Sequence, residues 1–428
     1  MAGGAGTMLA ACGGGETAVP IAPVVPLANK YSQLNLVANK ASYNAKFLEP
    51  SFIDAWGIAI RPAGAGGHFW VGAGGTSWQY VGDVTQSSTS SLKTLFQDGL
   101  KEVTVPGADS LITAASIGKI TGVVYNGAAL TDNKFKITTQ TATTPATGAA
   151  VSFDGSARFV FVTDSGSVSG WTDRASDGTT VRVDGAAAQA YDGAADGSAF
   201  FGVAIKPGSW DAMWLADFGA DPKIVTLDSF WVKVPTVGFA NPFGSGAGGA
   251  VQPGEPVPFN IQVLNDGTRD RVFVAYALSQ EDPASPGDFY AAEEDALDAT
   301  AETASGNKPN KGKLVEFDTA GSRVRIFDDA MRLNAPWGLA IAPANFGLLS
   351  GKLLVGNFGG AGRICAFDLA TGAYVDDLKD AAGQSVKIAG LWGLQFGNGV
   401  SLGDTNALYF AAGPEDEADG LFGSLRVA

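Results

Sequence analysis

Pro336-Trp337-Gly338-Leu339-Ala340-Ile341, then Lys352-Leu353-Leu354-Val355-Gly356-Asn357-Phe358, then Gly362-Arg363-Ile364-Cys365-Ala366-Phe367-Asp368, is the stretch that decides the fold. Each run is rich in β-branched and aromatic residues and is bounded by Gly, Asn, Asp or Pro, which is how strands and their turns read. The opening motif recurs at Ala55–Ile60, Ile120–Tyr125, Phe200–Ile205, Pro258–Val263 and Leu391–Phe396. With Asn260 standing in for the fourth glycine, the motif centres are 65, 80, 58, 78 and 55 residues apart. Second and third strands follow in the same order at Met213–Phe218 and Lys223–Asp228, and again at Arg158–Asp164 and Gly166–Trp171. Self-similarity on this scale means repeated sheets around one axis, and no segment holds a sustained helical period. The expectation is an all-β, six-bladed β-propeller of four-stranded blades. Its ring closes by pairing Ser32–Val37 with Leu421–Arg426, which removes an exposed sheet edge.

Composition agrees. Glycine supplies 58 of 428 residues, about twice its usual share of roughly 7%, as expected for a chain with many tight turns. Hydrophobic residues make up 46% and charged residues 17%, so a large core is possible, and no apolar run reaches the length of a membrane span. The net charge of −15 argues against a nucleic-acid partner, whose phosphates would be repelled.

Leu9-Ala10-Ala11-Cys12 has the form of a lipobox, with Gly13-Gly14-Gly15-Glu16 as tether. Residues 1–29 are therefore expected to be a disordered lipoprotein signal and tether. Residues 30–428 are expected to form a single propeller domain with an acidic insertion at about 281–311, containing a short helix over Tyr290–Ala301. The protein is expected to be exported, as an outer-membrane or cell-surface lipoprotein or else periplasmic or extracellular, and to meet the membrane only through an acylated Cys12.

The motif order resembles NHL propeller repeats. More specifically, Asn334–Ala340, Pro343–Gly347, Leu354–Gly359, Gly390–Gly399 and Ala412–Glu417 resemble a bacterial family of exported propellers of unknown function, some of whose members end in a PEP-CTERM sorting tail. The likeness spans about residues 31–425. No such tail follows Ala428, which favours the lipobox as anchor, and Asp419 stands where the family is expected to carry a histidine. The resemblance implies the fold and brings no activity with it.

Catalytic constellations are few. His68 is the one histidine and reads as a solvent-facing turn residue; with Cys12 and Cys365 far apart, a His/Cys zinc site is excluded. Cys365 reads as a buried small hydrophobe. Gly166-Ser167-Val168-Ser169-Gly170 lies in a strand pattern and lacks the helix that a nucleophile elbow requires. Oxygen ligands remain. Asp54, Asn260 and Asn334 lie near the motif centres of three blades, with Gln262 and Gln395 further along, a set suited to a hard cation such as Ca²⁺ in the channel. Glu415-Asp416-Glu417 with Asp419 reads first as a solvated loop and second as a Ca²⁺ site. Asp164, Asp217, Asp228, Asp318, Asn357 and Asp368 recur at equivalent turns and read as turn residues. Trp56, Phe201, Trp337 and Trp392 are expected to be structural, each wedged between adjacent sheets. Two functions follow. One is a monomeric binding or scaffolding propeller with a protein or carbohydrate ligand; the other is a Ca²⁺-dependent, lactonase-like hydrolase using Asp54, Asn260 and Asn334.

Overall fold

The computed structural model describes residues 28–428 apart from 63, 65–66, 108–117, 145–146, 248–249, 252–253, 282–288 and 292–309. The six motifs form the innermost strands, here β1 (Ala55–Ala59), β2 (Ile120–Tyr125), β3 (Phe200–Ile205), β4 (Pro256–Asn265), β5 (Pro336–Ile341) and β6 (Leu391–Phe396). Each contacts the next and β6 contacts β1, so they ring a central axis and the chain is a β-propeller.

The sheets correct the expectation of a six-bladed propeller: among the described residues there are five blades, not six. Five sheets are blades of four or five strands, those that start from β2, β3, β4, β5 and β6. The sheet carrying β1 is a seven-stranded composite. Its strand Glu102–Thr104 pairs in parallel with Gly185–Ala186, which in turn pairs with the hairpin Thr141–Thr143 and Ala150–Ser152. The physical reason is edge protection. A three-residue outer strand would leave its N–H and C=O groups unpaired, and Gly185–Ala186, from the long interval between the second and third motifs, covers them. The first described strand, Tyr31–Ala38, pairs antiparallel with Leu421–Val427, register Ser32 to Arg426 and Ala38 to Leu421, so the first and last described strands share one sheet.

Why the motif has its form is visible in the inner pairings. A register irregularity falls at the motif's aromatic position in five of them, between Ala55 and Ile58, Phe200 and Gly202, Pro258 and Asn260, Pro336 and Leu339, and Leu391 and Leu394. A bulge re-aims the side chain it skips. Here the skipped residues include Trp56, Phe201, Phe259, Trp337 and Trp392, and they meet in one buried cluster. Trp56 stacks on Trp392 at 3.5 Å between ring centroids, lies 6.2 Å from Trp337 and 5.4 Å from Phe201, and Phe201 stacks on Phe259 at 5.5 Å. The expected wedges between adjacent sheets are thus replaced by a shared aromatic plug across the axis. At β2 the equivalent residue is Thr121, whose hydroxyl donates to the Phe200 carbonyl.

The glycine after the aromatic residue is required by close approach. A Cβ on Gly393 would run into the Trp56 carbonyl oxygen, and one on Gly338 into that of Trp392. Asn260 takes the glycine's place in β4 and uses its side chain along the ring, Nδ2 donating to the Trp337 carbonyl at 2.7 Å.

The expected short helix over Tyr290–Ala301 is not seen at its start. Tyr290 and Ala291 belong to a strand, Phe289–Ala291, that pairs with Asp270–Glu281, and residues 292–301 lie outside the described residues. The lipobox and tether at residues 1–27 lie outside them too, as does most of the acidic insertion. No helix among the described residues is long and apolar enough to cross a membrane.

Candidate functional site

The aromatic plug divides the axis into two ends. Beyond it, the C-terminal halves of the inner strands splay into an open cavity of about 850 Å³. Its walls are aliphatic side chains such as Ile58, Val123, Val203, Ile205 and Leu394, the rim carries Tyr125, Trp210 and Phe396, and Trp337 and Asn260 reach it from the plug. The size and apolar character match a ligand pocket. Its polar groups are mostly side-chain amides. Gln262 and Gln395 sit at the same position of β4 and β6, two residues past the motif centre, and flank the intervening β5. Gln262 Oε1 accepts from Leu339 N–H at 3.0 Å, and Gln395 Nε2 donates to the Phe396 carbonyl at 2.9 Å. Among the described residues no lysine, arginine or histidine lines the cavity, and Asp270 is the one acidic residue in the lining.

The other end, where the inner strands begin, carries buried charge. Asp54 is fully buried, with a left-handed backbone at φ 50°. Its Oδ1 accepts from the Trp56 indole N–H and its Oδ2 lies 3.3 Å from Lys119 Nζ. Lys119 also binds Glu417 Oε2 at 2.9 Å. Burial pushes the Asp54 carboxyl well above the usual carboxylate range, Glu417 adds to the rise and Lys119 opposes it. Burial acts against the Lys119 ammonium, yet Asp54 and Glu417 hold it above its ordinary range. Asp164 accepts from Gly118 N–H at 2.7 Å, and burial pushes its carboxyl up to about 6 against the pull of Lys119.

The three residues expected to hold a cation are engaged differently from one another. Asp54 faces Lys119 and Trp56, and Asn260 bridges to Trp337. Asn334 is fully buried, and neither atom of its carboxamide has a hydrogen-bond partner among the described residues. Among the described residues no group of three or more His, Cys, Asp or Glu side chains is placed to hold a metal ion. In the acidic loop, Glu415, Asp416 and Glu417 share left-handed backbone at φ 55°, 53° and 64°. Asp419 is an anchor for the N-terminal segment, accepting from Asn39 Nδ2 at 3.0 Å and Tyr43 Oη at 2.7 Å and pairing with Lys40 at 2.7 Å.

His68 corrects its reading as a solvent-facing turn residue. It is 2% exposed, with Nε2 2.8 Å from Asp98 Oδ1, and burial lowers its pKa against the pull of Asp98. Cys365 is a buried free thiol. The repeated turn aspartates are turn residues: Asp228 accepts from Phe230 and Val232 N–H, Asp318 from Ala320 and Ser322 N–H, and Asp368 from Ala370 and Thr371 N–H.

No protein-family profile matches the chain. Its relatives include uncharacterized proteins of Acanthamoeba polyphaga mimivirus. R648 is 32% identical over 229 residues, 53% of this chain and 48% of the relative, and L690 is 39% identical over 119 residues, 28% of this chain and 30% of the relative. The chain spans at most about half the length of the curated relatives it matches. Among solved structures it is similar to the Dos1 propeller, with a TM-score of 0.38 and 11% identity over 89% of this chain and 69% of that one. It is also similar to the WD40 propeller domain of Doa1, with a TM-score of 0.40 and 10% identity over 92% of this chain and 96% of that one.

Proposed function

We propose that this propeller is a binding or scaffolding protein whose ligand enters the open channel mouth beyond the aromatic plug. The observation that carries the reading is the composition of that mouth: an apolar cavity of about 850 Å³ with a few directed amides. Among the described residues the lining holds no histidine, cysteine or lysine to serve as nucleophile or general base. The test is a fragment screen by ligand-observed NMR on the wild-type chain and on Ile60→Trp, which places an indole in the mouth. Hits that bind the wild type and vanish in Ile60→Trp support the reading; hits that persist in the variant, or no hits at all, sink it.

Export and anchorage through an acylated Cys12 belong to the same proposal, supported by Leu9-Ala10-Ala11-Cys12 and by the likeness to exported NHL-like propellers. Labelling with a palmitate analogue that survives Cys12→Ser would remove this part. A second reading, a hard cation held by Asp54, Asn260 and Asn334, draws support from the buried carboxamide of Asn334, which has no partner among the described residues. Elemental analysis of the purified protein, with a lactone screen with and without chelator, tests it; absence of both stoichiometric metal and turnover removes it.

A further inference from the structure

We propose that the ligand of the channel mouth is an uncharged aliphatic peptide segment, read through one of its backbone amides by Gln262 and Gln395. This rests on the mouth being the binding site. The two amides are oriented by their protein contacts. Because Gln262 must present oxygen to the Leu339 N–H and to Asn260 Nδ2, its Nε2 is the end left over. Because Gln395 must donate from Nε2 to the Phe396 carbonyl, its Oε1 is the end left over. Among the described residues neither of these two atoms has a protein hydrogen-bond partner, and both side chains line the cavity. The mouth therefore offers one N–H donor and one carbonyl acceptor, from the two inner strands on either side of β5.

A secondary amide is the complementary group, its carbonyl accepting from Gln262 and its N–H donating to Gln395. Two directed polar groups in a wall of isoleucine, valine and leucine match a peptide with aliphatic side chains better than a sugar, whose many hydroxyls would go unpaired there. Charge sets the remaining constraint. With no cationic side chain among the described lining residues and Asp270 present, an acidic ligand meets repulsion and desolvation.

The probe is a capped neutral peptide, acetyl-Ala-Val-Leu-Ala-amide, titrated by calorimetry and by the fluorescence of Trp210 and Trp337. Binding to the wild type is expected, with roughly tenfold loss in Gln395→Leu, the size of one neutral hydrogen bond. Gln262→Glu keeps the acceptor that Leu339 uses, removes the free donor and is expected to weaken binding at least as much. Ester analogues, each replacing one peptide N–H, complete the cycle: one of them is expected to lose affinity for the wild type and none for Gln395→Leu. Melting temperatures confirm that the variants are folded. Preference for an acidic peptide or for maltotetraose, or unchanged peptide affinity in both variants, overturns the proposal while leaving the mouth a binding site. If none of these probes binds while fragments do, the peptide proposal fails alone; if the fragments are silent as well, the binding reading fails with it.

Discussion

Lys119 Nζ stands between two carboxylates from opposite ends of the chain, 3.3 Å from Asp54 Oδ2 and 2.9 Å from Glu417 Oε2. It ties the loop before β2 to the start of β1 and to the acidic turn of the last blade, and it supplies the positive charge that a buried Asp54 needs. Replacing Lys119 with Met is expected to cost about 3–5 kcal/mol, the usual consequence of leaving one partner of a buried pair uncompensated. Urea denaturation at neutral pH measures it, and a loss below ~1 kcal/mol would show that the pair contributes little.

Asp164 supplies a pH dependence of definite sign. Its carboxyl titrates at about 6 in the folded chain, against 3.8 as the model-compound value, so the folded state holds the extra proton between those two pH values. Stability from this group therefore rises as pH falls from about 7 toward 4, opposite to an ordinary paired carboxylate. Melting curves across this window are expected to show the wild type gaining stability relative to Asp164→Asn as pH falls; a difference between the two that does not change with pH would contradict the assignment.

The aromatic plug gives a graded series. Trp337→Ala is expected to cost about 3–5 kcal/mol, as for other buried aromatic truncations. Trp337→Phe keeps a ring against Trp56 and Trp392 and loses the bond from Nε1 to the Phe201 carbonyl at 2.8 Å, which should cost only about 1–2 kcal/mol. Equal losses in the two variants would show that packing is not the larger part.

Close approach around the ring is tested by glycine replacement. Gly393→Ala drives a methyl group into the Trp56 carbonyl and is expected to cost about 1–3 kcal/mol or more, while Gly99→Ala, with open space around its Cβ position, should be neutral. Guanidinium denaturation of the pair decides it. If both are neutral, the inner strands have more room than the backbone contacts indicate.

Closure of the ring is tested by deleting residues 31–38. Loss of the strand that pairs with Leu421–Val427 exposes a full sheet edge and is expected to lower the melting temperature sharply and to raise aggregation on heating. Light scattering during the melt reads both effects, and a melt like that of the full chain would show the strand to be dispensable.

The motif Pro336-Trp337-Gly338-Leu339 and its five counterparts carried the inner strands legibly, because a bulge, a ring and a close backbone approach each demand a particular residue type at a particular place. Turn aspartates were legible for the same reason, since an Asx side chain answers to N–H groups a few residues away. Outer-strand pairing was not legible: Gly185–Ala186 joins Glu102–Thr104 across some eighty residues, and nothing local specifies that partner. The six-bladed expectation failed there, with five blades formed and the first motif's strand drawn into a composite sheet. His68 looked like a turn residue because its burial depends on the loop around Asp98, and the tryptophans looked like separate wedges because only the assembled ring brings them together. At the candidate site the sequence by itself determined which residues were available, among them Asp54, Asn260, Asn334, Gln262 and Gln395. Tertiary structure decided what each has left to offer. Lys119 and Trp56 occupy Asp54, the Trp337 carbonyl occupies the Asn260 donor, and the far ends of Gln262 and Gln395 are left over at the cavity, because hydrogen bonds saturate and partners such as Lys119, the Trp337 carbonyl and the Leu339 N–H come from other blades.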